Sequence, residues 1–296
     1  MVSGSICALV TPFADDDALD LDALARLIEW HVEAGTDALV LAGSTGESVA
    51  LEETELRQLW QRAADSARGR IGLIAGTGAP STRRSARLTR IAQECGMHAA
   101  LVVTPAYVRP TQEGLYQHYA VVAAQGLPVL LYNVPARTAC DLLPSTVQRL
   151  LELPAVVGIK EAVADPERID ALLRLQSIRR DFVVLSGDDP TALMALGRGA
   201  DGVISVAANV VPRQFARLVA MARAGELREA RTLDQYLQPL FTALGCEPNP
   251  IPVKTALARL GLIGGHLRLP LTPLAAAHLP LLDQAVAASH EPRPGA

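Results

Sequence analysis

Short apolar runs recur along the chain at 6–10, 38–42, 71–75, 99–103, 129–132, 156–159, 182–185 and 202–206. Each is followed by turn residues and then by sequence with helical spacing. The stretches 21–34, 52–67 and 81–95 repeat apolar residues every three to four positions, the signature of an amphipathic helix. Strands alternating with helices predict βαβ units and parallel pairing. Eight such units over about 220 residues match a (β/α)₈ TIM barrel in number and length. A doubly wound sheet is the rival arrangement, but it favours a glycine-rich dinucleotide loop after the first strand. Here that strand runs into Val10-Thr11-Pro12-Phe13.

Beyond residue 211 the strand pattern stops. The stretches 211–224, 226–244 and 251–261 read as helices, and proline-punctuated helical sequence continues to about residue 289. The expected organisation is a catalytic barrel over 1–224, a C-terminal helical domain over 225–290 and a disordered tail over 291–296.

Bulk properties narrow the class of function. Half of the residues are hydrophobic, as in a globular protein, and the formal net charge is -4 with no long basic run, which argues against nucleic acid as a partner. The four cysteines are far apart and lack C-x-x-C spacing, so free thiols in a reducing compartment are expected. The six histidines are scattered, without metal-ligand spacing. No apolar run reaches membrane-spanning length, and the expected location is the cytoplasm.

The candidate chemistry collects at the predicted strand ends, where a barrel carries its active site. Only two of the 27 basic residues are lysines, Lys160 and Lys254. Lys160 ends the run Val156-Val157-Gly158-Ile159-Lys160. Strand alternation puts Val157 and Ile159 on one face and Gly158 and Lys160 on the other. A lysine on the small-residue face of a buried strand needs an ion-pair partner, a route to solvent, or loss of its proton, which would leave a nucleophilic amine. Glu161 would be the natural partner for a rim lysine, but alternation turns it to the opposite face.

Strand two ends in Gly43-Ser44-Thr45-Gly46-Glu47. This is readable both as a capping box between Ser44 and Glu47 and as a cradle of hydroxyls and helix N-terminal amides for a small carboxylate. Strand five ends in Tyr132-Asn133-Val134-Pro135-Ala136-Arg137-Thr138. Tyr132 either fills space or passes protons beside a lysine one strand away. Arg137 is either solvated or a fork for a carboxylate. Tyr107, in Thr104-Pro105-Ala106-Tyr107, reads as packing when taken alone. Gly187, in Ser186-Gly187-Asp188-Asp189, and Ile204 lie at the ends of strands seven and eight.

Together and in order, these segments resemble the pyruvate-dependent class I aldolase family. So do Gly158-Ile159-Lys160-Glu161, the segment Gln112 to His118, and Asn249-Pro250-Ile251-Pro252-Val253-Lys254. The resemblance covers nearly the whole chain. It implies a barrel with a helical C-terminal domain, usually a homotetramer. It also implies condensation of pyruvate with L-aspartate 4-semialdehyde through a lysine Schiff base, giving 4-hydroxy-tetrahydrodipicolinate, with no external cofactor or metal. The residue roles it implies are Lys160 as the Schiff-base nucleophile and Tyr132 as proton relay. Ser44 and Tyr107 extend that relay, with Tyr107 reaching into a neighbouring subunit's site. Thr45 holds the pyruvate carboxylate, Arg137 the semialdehyde carboxylate, and the Ile204 carbonyl and Gly187 line the site near the lysine.

The setting of Arg137 separates this activity from sister enzymes such as N-acetylneuraminate lyase or a 2-keto-3-deoxy-sugar-acid aldolase. A barrel that only binds pyruvate-like ligands would not be expected to keep Lys160, Tyr132 and Tyr107 together. Two departures stand out. Ser44 replaces the family's usual threonine. The positions where lysine-inhibited members bind their effector map to Glu53, Leu56, Pro80, Arg84 and Ala106, which implies insensitivity to lysine.

Overall fold

In the computed structural model, which describes residues 2–290, eight parallel strands close into a barrel in chain order. They are β1 (Gly4–Ala8), β2 (Ala38–Leu41), β3 (Gly72–Gly76), β4 (Ala99–Val103), β5 (Val129–Asn133), β6 (Val156–Glu161), β7 (Val183–Ser186) and β8 (Gly202–Ser205). The helices of the barrel are α1 (Leu21–Ala34), α2 (Glu53–Ala67), α3 (Thr82–Glu94), α4 (Gln112–Ala123), α5 (Pro135–Thr138), α6 (Pro144–Leu150), α7 (Pro166–Leu173), α8 (Ala192–Gly197) and α9 (Pro212–Arg223). Three more follow: α10 (Leu227–Leu244), α11 (Ile251–Arg259) and α12 (Leu279–His290). The tail expected over 291–296 lies outside the described residues.

Local sequence explains the elements. Asp20 caps α1 by accepting from the Ala23 amide at 2.8 Å, and Gly35 ends the helix at φ 81, a backbone conformation that costs glycine little. Between those ends Leu24, Leu27, Ile28 and His31 form one buried stripe against the sheet. Period-two alternation divides the core into two layers. Leu130, Val183, Leu185 and Ile204 pack inside the barrel with Tyr132. Leu131, Val129 and Val184 pack outward against the helices.

Alternation fails at one place in β6. Val129 opposes Val156, but Leu130 opposes Gly158, so Val157 is an extra residue in the ladder. Val157 therefore packs with the inner layer rather than sharing a face with Ile159, which packs outward. The bulge has a consequence for the site: it slides β6 by one residue and brings Lys160 opposite Tyr132.

The C-terminal region also differs from expectation. No helix covers 262–275. That segment returns over the barrel instead, and Arg268 within it bonds to Glu47, Glu55 and the Ala50 carbonyl. Cys7, Cys95, Cys140 and Cys246 are all unpaired, as expected. Among the described residues no helix is long and apolar enough to cross a membrane.

Candidate active site

Lys160 projects into the barrel near its C-terminal end and is 5% exposed. Its Nζ lies over the face of Tyr132, 4.4 Å from the ring centroid. Gly187 makes room for the lysine, and Gly158 lets β6 pack closely on Val183 and Leu130. A Cβ at Gly187 would stand 2.7 Å from Lys160 Cε, and one at Gly158 would stand 2.3 Å from Val183 Cγ2. Gly187 thus lies against the lysine's stem, where any side chain would displace it.

Lys160 makes no ion pair among the described residues. Glu161 is committed elsewhere, as alternation requires. It accepts from Arg168 Nε at 3.0 Å, from Asn133 Nδ2 at 3.1 Å and from the Val163 amide at 2.9 Å. Burial pushes the Glu161 carboxyl above its ordinary range, against the pull of these donors. Asp141 joins the cluster by accepting from Asn133 Nδ2 and from Arg168. This network ties the ends of β5 and β6 together, directly behind Tyr132 and Lys160.

The turn after β2 forms neither the capping box nor a helix N-terminus, although its hydroxyls and amides remain in place. Glu47 is left-handed, at φ 53, and precedes a single 3₁₀ turn at Ser48–Ala50. The helix α2 begins only at Glu53, with its own capping box between Glu52 and Glu55. Ser44 and Glu47 therefore form no capping box, and no long helix points its N-terminus from this turn. Glu47 is buried and bonded to Lys254 Nζ at 2.6 Å. Gly46 is held by its carbonyl, which accepts from Thr11 Oγ1 at 2.7 Å. The amides of Ser44 and Thr45 donate to no group among the described residues, so both remain available to a ligand. Thr45 is buried, and its Oγ1 accepts from Asn249 Nδ2 at 2.9 Å.

A cavity of about 290 Å³ opens beside this turn, with Ser44, Val134, Arg137, Thr138 and Asn249 in its wall. Lys160 and Tyr132 are not in that wall; they are buried against each other in the barrel interior. Arg137 Nη2 donates to the Asn249 carbonyl at 3.2 Å. Ile204 sits in the inner layer with Tyr132 and Leu185. Tyr107 is the outlier. It is 92% exposed, at φ 73, and its amide donates to the Thr138 carbonyl. Tyr107 and Arg137 share the wall of a separate cavity of about 490 Å³. Within this chain no hydrogen bond joins Tyr107 to Tyr132 or Ser44 among the described residues.

Three groupings result: Lys160 with Tyr132 and Gly187; Ser44 with Arg137 around the cavity; and Thr45 linked to Arg137 through Asn249. Sequence reasoning passed over Asn249 and Arg268 as site residues. The clues available were the family-like run 249–254 and the scarcity of lysine, which marks Lys254 as clearly as Lys160.

The sequence model of the dihydrodipicolinate synthetase family matches residues 1–289. A 4-hydroxy-tetrahydrodipicolinate synthase of Xanthomonas axonopodis pv. citri is 51% identical over 287 residues, covering 97% of this chain and 94% of that protein. The corresponding protein of Teredinibacter turnerae is 48% identical over 288 residues, covering 97% and 98%. The crystal structure of a chloride-inhibited dihydrodipicolinate synthase from Acinetobacter baumannii, complexed with pyruvate, superimposes with a TM-score of 0.95 at 46% identity, covering 98% of this chain and 99% of the other. The chain belongs to the dihydrodipicolinate synthetase family.

Proposed function

We propose that this enzyme condenses pyruvate with L-aspartate 4-semialdehyde through a Schiff base on Lys160, giving 4-hydroxy-tetrahydrodipicolinate. The observation that carries this reading is the Lys160 amine, free of any ion-pair partner among the described residues and held 4.4 Å over the Tyr132 ring. The similarity to 4-hydroxy-tetrahydrodipicolinate synthases over almost the whole chain supports the choice of substrates. So does the pyruvate bound by the Acinetobacter relative.

The Lys160 amine adds to the pyruvate ketone and water leaves, giving an iminium. The iminium draws electrons, so the pyruvate methyl loses a proton and becomes an enamine. The enamine carbon attacks the semialdehyde's aldehyde, and the resulting alkoxide takes up a proton as the 4-hydroxyl. The substrate's own amine then attacks the iminium carbon, closes the ring and expels Lys160 as the free amine. The sequence of steps balances without an external oxidant or cofactor.

The protein's share is positioning and proton transfer. The Tyr132 phenol relays protons at the nitrogen of Lys160, with Ser44 and Tyr107 extending the path. Thr45 and the unpartnered amides of Ser44 and Thr45 hold the pyruvate carboxylate. Arg137 binds the semialdehyde carboxylate at the cavity mouth. The Ile204 carbonyl and Gly187 bound the space around the lysine. Tyr107 serves the site of a neighbouring copy in a homotetramer; its exposure, with that of Val108, is what such an interface would cover.

Incubation with pyruvate and borohydride tests the reading. A mass adduct confined to the peptide carrying Lys160, together with turnover of aspartate semialdehyde but not of sugar acids, is the expected result. Absence of the adduct would leave only a pyruvate-binding barrel.

A further inference from the structure

Among the described residues, Asn249 alone is hydrogen-bonded to both proposed carboxylate-binding side chains. Its side-chain Nδ2 donates to Thr45 Oγ1 at 2.9 Å, and its backbone carbonyl accepts from Arg137 Nη2 at 3.2 Å. It comes from the segment before α11, far from the barrel strands in sequence, and it lines the cavity between Ser44 and Arg137.

The direction of the first bond matters. A hydroxyl has one hydrogen to give and lone pairs to receive. While Thr45 Oγ1 receives from Asn249, its own hydrogen is left for another acceptor. The Thr45 and Ser44 amides next to it are also without acceptors among the described residues. Three donors on two adjacent residues are therefore left without an acceptor among the described residues, which suits them to a carboxylate. Asn249 Oδ1 has no hydrogen-bond partner among the described residues, so the side-chain amide bonds through Nδ2 to Thr45 alone.

We propose that Asn249 is a positioning residue for the condensation: it sets the Thr45 hydroxyl as a donor toward the pyruvate carboxylate and anchors Arg137 for the second carboxylate. The inference rests on the roles of Thr45 and Arg137 proposed above. It makes the C-terminal segment part of the pyruvate site, acting through two barrel side chains rather than on the reacting atoms.

Asn249→Asp is the informative change. It keeps the shape but replaces the donor by an acceptor, so the Thr45 hydroxyl turns its hydrogen away from pyruvate. The expected effect is a rise in the pyruvate KM of about 10- to 100-fold, with a smaller fall in kcat. Asn249→Ala, which merely frees the hydroxyl, is expected to raise it only a few fold. A negative charge alone would also repel pyruvate, so the change is repeated in a Thr45→Val background. There the hydroxyl is gone, and Asn249→Asp is expected to add little. Wild-type enzyme that forms the borohydride adduct, combined with an unchanged pyruvate KM in Asn249→Asp, would overturn the proposal while leaving the function standing. Full additivity of the two substitutions would overturn it as well. Loss of the adduct in wild-type enzyme would instead remove the function on which it rests. If Asn249→Asp does not fold, Asn249→Ala serves in the same cycle: its few-fold rise in KM is expected to vanish in the Thr45→Val background, and an undiminished rise there would overturn the proposal.

Discussion

Lys254 Nζ stands 2.6 Å from Glu47 Oε1, and both side chains are fully buried. The pair pins α11 to the turn that carries Ser44 and Thr45. Burial pulls the Lys254 ammonium below its usual range, against the attraction of Glu47. The pair is not isolated. The Arg268 amide donates to Glu47 Oε2 at 3.2 Å, and Lys254 and Arg268 lie 4.4 and 4.2 Å from the Phe13 ring. Removing one partner of such a pair leaves the other charge buried and uncompensated, at a cost of about 3–5 kcal/mol. Lys254→Met is therefore expected to lower stability by that order. Adding Glu47→Gln should recover part of the loss, because the orphaned charge is gone. Chemical denaturation of the single and double variants checks this; a double variant as unstable as the sum of the singles would contradict it.

Gly187→Ala is expected to cost activity far more than stability. The added methyl would meet Lys160 Cε at 2.7 Å, and the flexible stem of the lysine is what gives way. Displacing the amine from the Tyr132 face by a fraction of an ångström to an ångström is worth about 100-fold in kcat. Adduct formation with pyruvate and borohydride should slow in parallel, while the denaturation midpoint stays near that of the wild type. An alanine variant with wild-type turnover would show that Lys160 reaches its working position by another path.

Much of this was legible in the sequence, and the exceptions share a cause. The eight strands and the inward face of Lys160 follow from periodicity, a local property of the chain. The bulge at Val157 does not, because it depends on how β6 registers against β5. Glu47 read as a helix cap because its partners Lys254 and Arg268 lie more than two hundred residues away in sequence. Asn249 escaped notice for the same reason: its bond to Thr45 exists only once the chain beyond the barrel folds back over the strand ends.

His31 and His118 make the fold sensitive to acid. His31 is buried with Nδ1 on Thr36 Oγ1 at 2.9 Å, and His118 Nδ1 meets Thr82 Oγ1 at 2.9 Å. Burial lowers the pKa of His31 to about 3 and that of His118 to about 4. In the unfolded chain both titrate near the ordinary value of about 6.5. Between those limits the unfolded chain holds the proton and the folded chain does not. Stability contributed by these rings is therefore present above pH 6.5 and lost as the pH falls, down to about 3 for His31 and about 4 for His118. Each ring removes roughly 1.4 kcal/mol per pH unit within its window. His31→Gln should flatten the stability profile between pH 6 and 4 by about that slope, whatever it costs at neutral pH. Parallel profiles for variant and wild type would sink the assignment.

Free lysine is expected not to inhibit the enzyme. The residues at the positions the family resemblance assigns to an inhibitory lysine do not converge on a polar cage. Leu56, Pro80 and Arg84 line a cavity of about 200 Å³ with Ser48, Val49 and Leu88, and no carboxylate of the described residues is in its wall. Glu53 is bonded to Arg87 at 2.7 Å, and Ala106 lines the neighbouring cavities instead. A lysine effector brings two ammonium groups and one carboxylate. Arg84 would repel the ammonium groups, and apolar walls would strip their hydration without replacing it. Steady-state rates at saturating pyruvate and semialdehyde should be unchanged by millimolar lysine. Strong inhibition at sub-millimolar lysine would mean that the effector is gripped elsewhere, or by residues that a partner copy adds to this cavity.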